Sequence, residues 1–202
     1  MLIRIFAFVW ILLCSAASAA TPPPLTVAYS ADRRIETDSG DMQGSIAAAP
    51  GRERSEMRVG SMSTVMILHS DRQVGWMLMP MQRMYQELDF RSARRQSGSV
   101  PTEQVDLELV GSESVAGLAA SKYRFVMKDK SAGGYLWFTA EGIPVKMDVI
   151  SNDGGRKTRM TVTLENVRIG AQDPSLFEVP SGYAKLPGGG MFRSMAGLMP
   201  SR

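Results

Sequence analysis

Methionine is the residue whose spacing in this chain most invites chemistry: of 15 methionines, Met77, Met79, Met81 and Met84 fall within eight consecutive positions. Thioethers are soft ligands suited to Cu(I), so one reading is a methionine copper site completed by His69. The other is an adaptable apolar lining, favoured because Met77 and Met79 share a strand face with apolar neighbours and because Met fills irregular hydrophobic surfaces. His69 has Asp71 two residues on, but it is the single histidine, which makes a structural histidine at a strand end the simpler assignment. Serine is plentiful, yet there is no Gly-x-Ser-x-Gly elbow and no second histidine to activate a nucleophile. Glu36, Asp38 and Asp41 cluster near a turn without the pattern that would fix a carboxylate pair. Gly188, Gly189 and Gly190 follow no strand-to-helix signature and have no lysine partner, so they make no phosphate cradle. The residues therefore point to a protein that is not an enzyme and carries no cofactor or metal.

The elements that must position these residues are strands. Period-two alternation dominates: Leu25, Val27 and Tyr29; Val105, Leu107 and Leu109; Tyr123, Phe125 and Met127; Val145, Met147 and Val149; Met160, Val162 and Leu164 each alternate with polar neighbours. Turn residues separate the runs, as at Pro50-Gly51, Ser70-Asp71, Glu141-Gly142 and residues 152–155. About nine or ten strands at short spacing, with no helical pattern alternating between them, predict a mainly β fold built as an antiparallel meander. The polar segment 91–101, with Arg91, Arg94 and Arg95, reads as a surface loop or short helix.

Composition sets the surroundings. Arg4, the apolar run 5–13 and Ala17-Ser18-Ala19 form the order of a cleavable signal peptide over residues 1–20, with Cys14 inside the discarded segment. The apolar run is too short to span a bilayer, and no other stretch of the sequence reaches that length. The expectation is a periplasmic protein without a transmembrane segment. Losing Arg4 leaves 22 basic against 20 acidic residues, a weak balance in which the interleaved arginines argue against a nucleic-acid partner. One antiparallel domain is expected over 21–186. Beyond it, residues 187–202 form a flexible Gly-rich and Met-rich tail, in which Met191, Phe192, Met195, Leu198 and Met199 fall at helical spacing.

Three segments depart from one dry face. Residues 64–68, 74–79 and 135–138 carry apolar side chains at both parities, so their strands should be covered on both sides. In a curved sheet one face then packs on a core while the other lines a concavity. Two inner faces of a sandwich, or a dimer interface, satisfy the same pattern. The residues expected to include the lining are Trp76, Met77, Leu78, Met79, Trp137 and Phe138.

The phrases VGWMLMPMQRMY over 74–85 and LFEVPSGY over 176–183, with VGSESVAGLA at 110–119, WFTAEGIPV at 137–145 and LENV at 164–167, resemble an uncharacterised bacterial periplasmic family related to the lipoprotein carriers LolA and LolB. The resemblance implies a curved antiparallel half-barrel whose concave apolar face receives acyl chains, covered here by a short segment near 91–96. The function it implies is binding of a lipid, acyl chain or other hydrophobic ligand. The competing reading is a module that meets another envelope protein without any small ligand, and methionine-based copper binding is a third.

Overall fold

The computed structural model describes residues 21–186 apart from Ser61 and Pro101. The signal-peptide and tail segments read from the sequence lie outside the described residues. The chain first lays down β1 (Tyr29–Thr37), β2 (Gly40–Ala49), β3 (Arg52–Val59), β4 (Met62–His69), β5 (Val74–Met79) and β6 (Met84–Asp89) as an antiparallel meander. After the helix α1 (Phe90–Gln96) comes a second meander, β7 (Val105–Val115), β8 (Leu118–Met127), β9 (Ala132–Phe138), β10 (Pro144–Asp153) and β11 (Arg156–Ile169). The two join where β1 pairs with β11. A last short strand, β12 (Ala184–Lys185), runs parallel to β6.

The result is one open, curved sheet in the order β12-β6-β5-β4-β3-β2-β1-β11-β10-β9-β8-β7. The alternating runs form strands as expected, and the described strands number twelve where the pattern predicts nine or ten. The excess has a local cause. β3 reads RERSEMRV, with charge on both faces, and β12 is two residues long, so neither shows the apolar alternation that marks a half-buried strand.

Register assigns each side chain to a face. The row Tyr29, Ala48, Glu53, Leu68, Gly75 crosses five strands on the face that carries α1. Tyr123, Phe125, Val162 and Leu164 belong to the same concave face and are buried. Met127, Met147, Val149 and Met160, whose alternation also predicts a dry face, are only half-buried, because the short helix covers the sheet incompletely. The register shift between Pro144 and Lys146 leaves Val145 fully buried beside Trp137 and Ile143.

On the convex face, the chain after β11 folds back over β3 to β6. A 3-10 turn at Pro174–Phe177 inserts Phe177 against Val65, Ile67 and Leu78. Asp173 caps this turn by accepting from the Ser175 N–H at 2.9 Å. β4 is therefore dry on both faces, with Val65, Met66, Ile67, Leu68 and His69 all buried. One cover is α1 and the other is the returning chain.

Phe125 is 1% exposed and packs with Val105 and Leu136. Replacing it with Ala is expected to cost about 3 to 5 kcal/mol. Denaturant unfolding checks this, and a loss below about 1 kcal/mol would contradict the burial.

Candidate functional site

The concave face acquires a roof because α1 and the residues after it cross it. Asp89 starts the helix by accepting from the Ser92 N–H at 3.0 Å, and Arg94 and Arg95 in the last turn suit its negative end. Ala93 is the helix residue that meets the sheet, packed on Met66 and Leu68 with Met77, Leu88 and Phe90 around it. Gly75 permits that approach, since a Cβ there would collide with the Ala93 Cβ. The turn that follows is held by Ser97, whose hydroxyl donates to the Arg94 carbonyl at 2.9 Å. Arg94 in turn grips both oxygens of Glu103, at 2.7 and 2.8 Å. Sheet and roof are tied directly: the buried Arg33 donates to the Ser97 carbonyl at 3.3 Å.

Beneath this roof lies a cavity of about 200 Å³, with Leu136, Phe138, Met147, Val162 and Leu164 on the sheet side and Gly98, Ser99 and Val100 above. A second cavity of about 390 Å³ adjoins it, sharing Glu53, Ser99, Val100, Phe138 and Pro144 and reaching Tyr29, Leu68 and Phe90. The walls are mainly apolar, interrupted by Tyr29, Arg33, Arg52, Glu53, Arg94 and Lys146 and by the hydroxyls of Ser70 and Ser99. Burial raises the Glu53 carboxyl above the ordinary carboxylate range, and the Arg33 charge only partly offsets that. Burial also raises the Tyr29 phenol, with the Glu53 charge adding to the effect and Arg33 opposing it. Neither Glu53 nor Tyr29 has a side-chain hydrogen-bond partner among the described residues.

Strand alternation divides the six residues singled out from the sequence. Met77, Met79 and Phe138 are on the concave face, and Trp76, Leu78 and Trp137 are on the convex one. Phe138 is the member of the six that lines the two cavities. Met77 packs under α1 beside Met66. Leu78 is fully buried against Phe177, and the Trp76 indole donates to Glu87 at 3.3 Å. Trp137 donates to Glu113 and has the ammonium groups of Lys122 and Lys146 over its ring, 4.9 and 4.8 Å from the centroid. The convex tryptophans are thus part of packed and charged surroundings rather than of the concavity. The lining that sequence reasoning missed includes Arg33 and Glu53. Arg33 carried a signal, as a charged residue at the parity of Ala31 and Ile35, whereas charge on both faces of β3 hid Glu53.

The same alternation separates His69 from the methionines. His69 is fully buried on the convex face, where Nε2 donates to the Phe177 carbonyl at 2.7 Å and Nδ1 lies 3.2 Å from Asp71. Met77 and Met79 point the other way, so these residues cannot share one copper ion. The histidine instead anchors the returning chain.

A family model matches residues 34–141, from β1 to the turn before β10, which is more than half of the chain. The chain belongs to the family described as Domain of unknown function (DUF4412). A search of curated proteins gives no match. Among solved structures, an uncharacterized conserved protein from Thermus thermophilus is similar at 14% identity and a TM-score of 0.57, over 80% of this chain and 91% of that one. MucB is similar at 15% identity and a TM-score of 0.52, over 82% of this chain, which spans 60% of MucB. At such identities the likeness concerns the fold, and the fold is the LolA-like half-barrel expected from the sequence phrases. The matched segment contains α1, Glu53 and Phe138, and it begins just after Arg33.

The Glu53 carboxyl gives a measurable sign. Because the Glu53 pKa is raised in the folded state, its contribution to stability is complete below the ordinary value of 4.5 and is lost as pH rises through the raised value. Glu53→Gln, which stays neutral, should therefore gain in Tm over the natural protein between about pH 4 and about pH 8. Thermal unfolding at both values checks this, and a constant or shrinking difference would contradict it.

Proposed function

We propose that the protein is a non-enzymatic binder of a lipid, acyl chain or other hydrophobic ligand, held between the concave sheet and the roof formed by α1 and residues 97–100. The observation that carries this reading is the pair of adjoining, mainly apolar cavities on the one sheet face crossed by a connecting segment. Apolar space of this kind gains free energy by taking up apolar surface, about 0.8 kcal/mol for each buried methylene. The half-buried Met147 and Val149 support it, since methionine walls adapt to chains of irregular shape. The signal-like order of residues 1–20 supports a periplasmic setting.

One observation favours the second reading, an envelope interaction module. On the convex face Val126, Tyr135 and Ile150 are exposed near one another, with Val126 and Ile150 both paired to Gly133. Such a row suits contact with another protein.

The neutral dye N-phenyl-1-naphthylamine, whose fluorescence rises in apolar surroundings, separates the two. The purified protein should bind it. Met147→Lys should abolish the signal, because an ammonium in the cavity cannot be desolvated cheaply, while lowering stability less than Phe125→Ala does. Absence of dye binding, or full binding by the folded variant, would transfer the assignment to the interaction module.

A further inference from the structure

Charge in the cavity walls is one-sided: Arg33, Arg52, Arg94 and Lys146 stand against the one carboxylate of Glu53. Two of these cations are already engaged, Arg94 by both oxygens of Glu103 and Lys146 by the Trp137 ring, whose centroid is 4.8 Å from the ammonium. Arg33 is different. It is 9% exposed, enters no ion pair among the described residues, and donates to a neutral acceptor, the Ser97 carbonyl, at 3.3 Å. A charge withdrawn from water and answered only by a neutral group keeps a strong attraction for an opposite charge. Register explains its place. Arg33 shares the parity of Ala31 and Ile35 on the concave face, and its neighbour in β2 is Gly44, which has no side chain to obstruct a long one reaching over it. Gly98 passes above, where a Cβ would lie 4.0 Å from Arg33 Nη2, so the roof brings no side chain to that point and the residue lines the smaller cavity.

We propose that Arg33 receives the head of the ligand, and that this head is an anionic oxygen group, a carboxylate or a phosphate. This rests on the hydrophobic-ligand reading above and specifies the ligand's polar end. The planar N–H fork of a guanidinium matches such oxygens and bonds them more strongly than it bonds a neutral carbonyl. The other wall cations add a positive potential, which apolar surroundings strengthen. Glu53 opposes it weakly. The residue is half-buried, so solvent reaches it and dilutes its field, and its raised pKa favours a neutral carboxyl that donates to an anion instead of repelling it. A cationic head would meet the guanidinium, and an uncharged one would leave it without a counter-charge. The aliphatic chain then lies along Leu136, Met147 and Val162, on the wall of the smaller cavity.

Displacement of N-phenyl-1-naphthylamine by dodecanoate, dodecyl phosphate, dodecanol and dodecylammonium, each below its aggregation threshold and near neutral pH, tests the proposal. At least one anion should displace the dye at about tenfold lower concentration than dodecanol, with dodecylammonium the weakest of the four. The stronger anion identifies the head as a carboxylate or a phosphate. Arg33→Gln, which keeps a donor for the Ser97 carbonyl, should weaken that anion by about tenfold more than it weakens dodecanol, and Arg33→Lys, which keeps the charge, should retain most of the preference. Should Arg33→Gln fail to fold, Glu53→Gln decides instead: removing the opposing carboxylate should tighten the anion by about threefold relative to dodecanol. Dodecanol or dodecylammonium matching both anions on the natural protein, or an anion preference left unchanged by the deciding variant, would overturn the head-group assignment while leaving hydrophobic binding intact. If the dye binds but no amphiphile displaces it, the head-group assignment is likewise wrong. If the dye does not bind at all, the ligand reading fails, and this assignment fails with it.

Discussion

The connection between β6 and β7 constrains the whole molecule. These strands are consecutive in the chain yet ten inter-strand steps apart in the sheet, roughly 48 Å if the sheet were flat. The 15 residues between them include the seven of α1 and a three-residue 3-10 turn at Thr102–Gln104. Their combined reach is about 35 Å. The sheet must therefore curl until its edges approach, and the connection must cross the hollow so formed. Curvature, roof and cavity are consequences of one strand order: two meanders that grow outward from the β1–β11 pair.

What keeps the roof down is a small set of close contacts. Ala93 over Gly75 gives the helix its seat, Arg33 reaches from the sheet to Ser97, and the Arg94–Glu103 pair closes the turn region on itself. On the opposite face the returning chain fills what would otherwise be bare sheet, with Phe177 among Val65, Ile67 and Leu78 and with His69 holding its carbonyl. An ion pair between Arg72 and Glu178 and the bond from the Leu186 N–H to the Tyr85 carbonyl, at 2.8 Å, complete the closure. The convex cover is solid and the concave cover is partial. That difference leaves the mainly apolar cavities under the roof.

Much of this architecture was legible in the residues. The alternation at Tyr123, Phe125, Val162 and Leu164 marks strands with a common dry face, and the double-sided apolar run around Val65 and Leu68 marks a strand covered twice. Parity cannot identify the cover, however, so the sequence could not say that Leu78 meets Phe177, a hundred residues away, while Met77 meets Ala93. Nor could it place Trp137, whose ring is buried yet flanked by two lysines on the convex side. Glu53 was hidden for a different reason. Within RERSEMRV the charge pattern looks like a solvated edge, and only the pairing of Glu53 with Ala48 turns it inward. Long-range register, which decides that pairing, is set by the partner strands rather than by the local residues.

Occupation of the space under α1 by a small hydrophobic molecule is the claim on which the functional reading turns. Native mass spectrometry of the protein purified without denaturation from the cells that produce it addresses it directly. The expected result is a population heavier than the polypeptide by the mass of a lipid-like adduct, released on denaturation. A bare polypeptide mass, or a mass increment that proves to be a second protein, would contradict it.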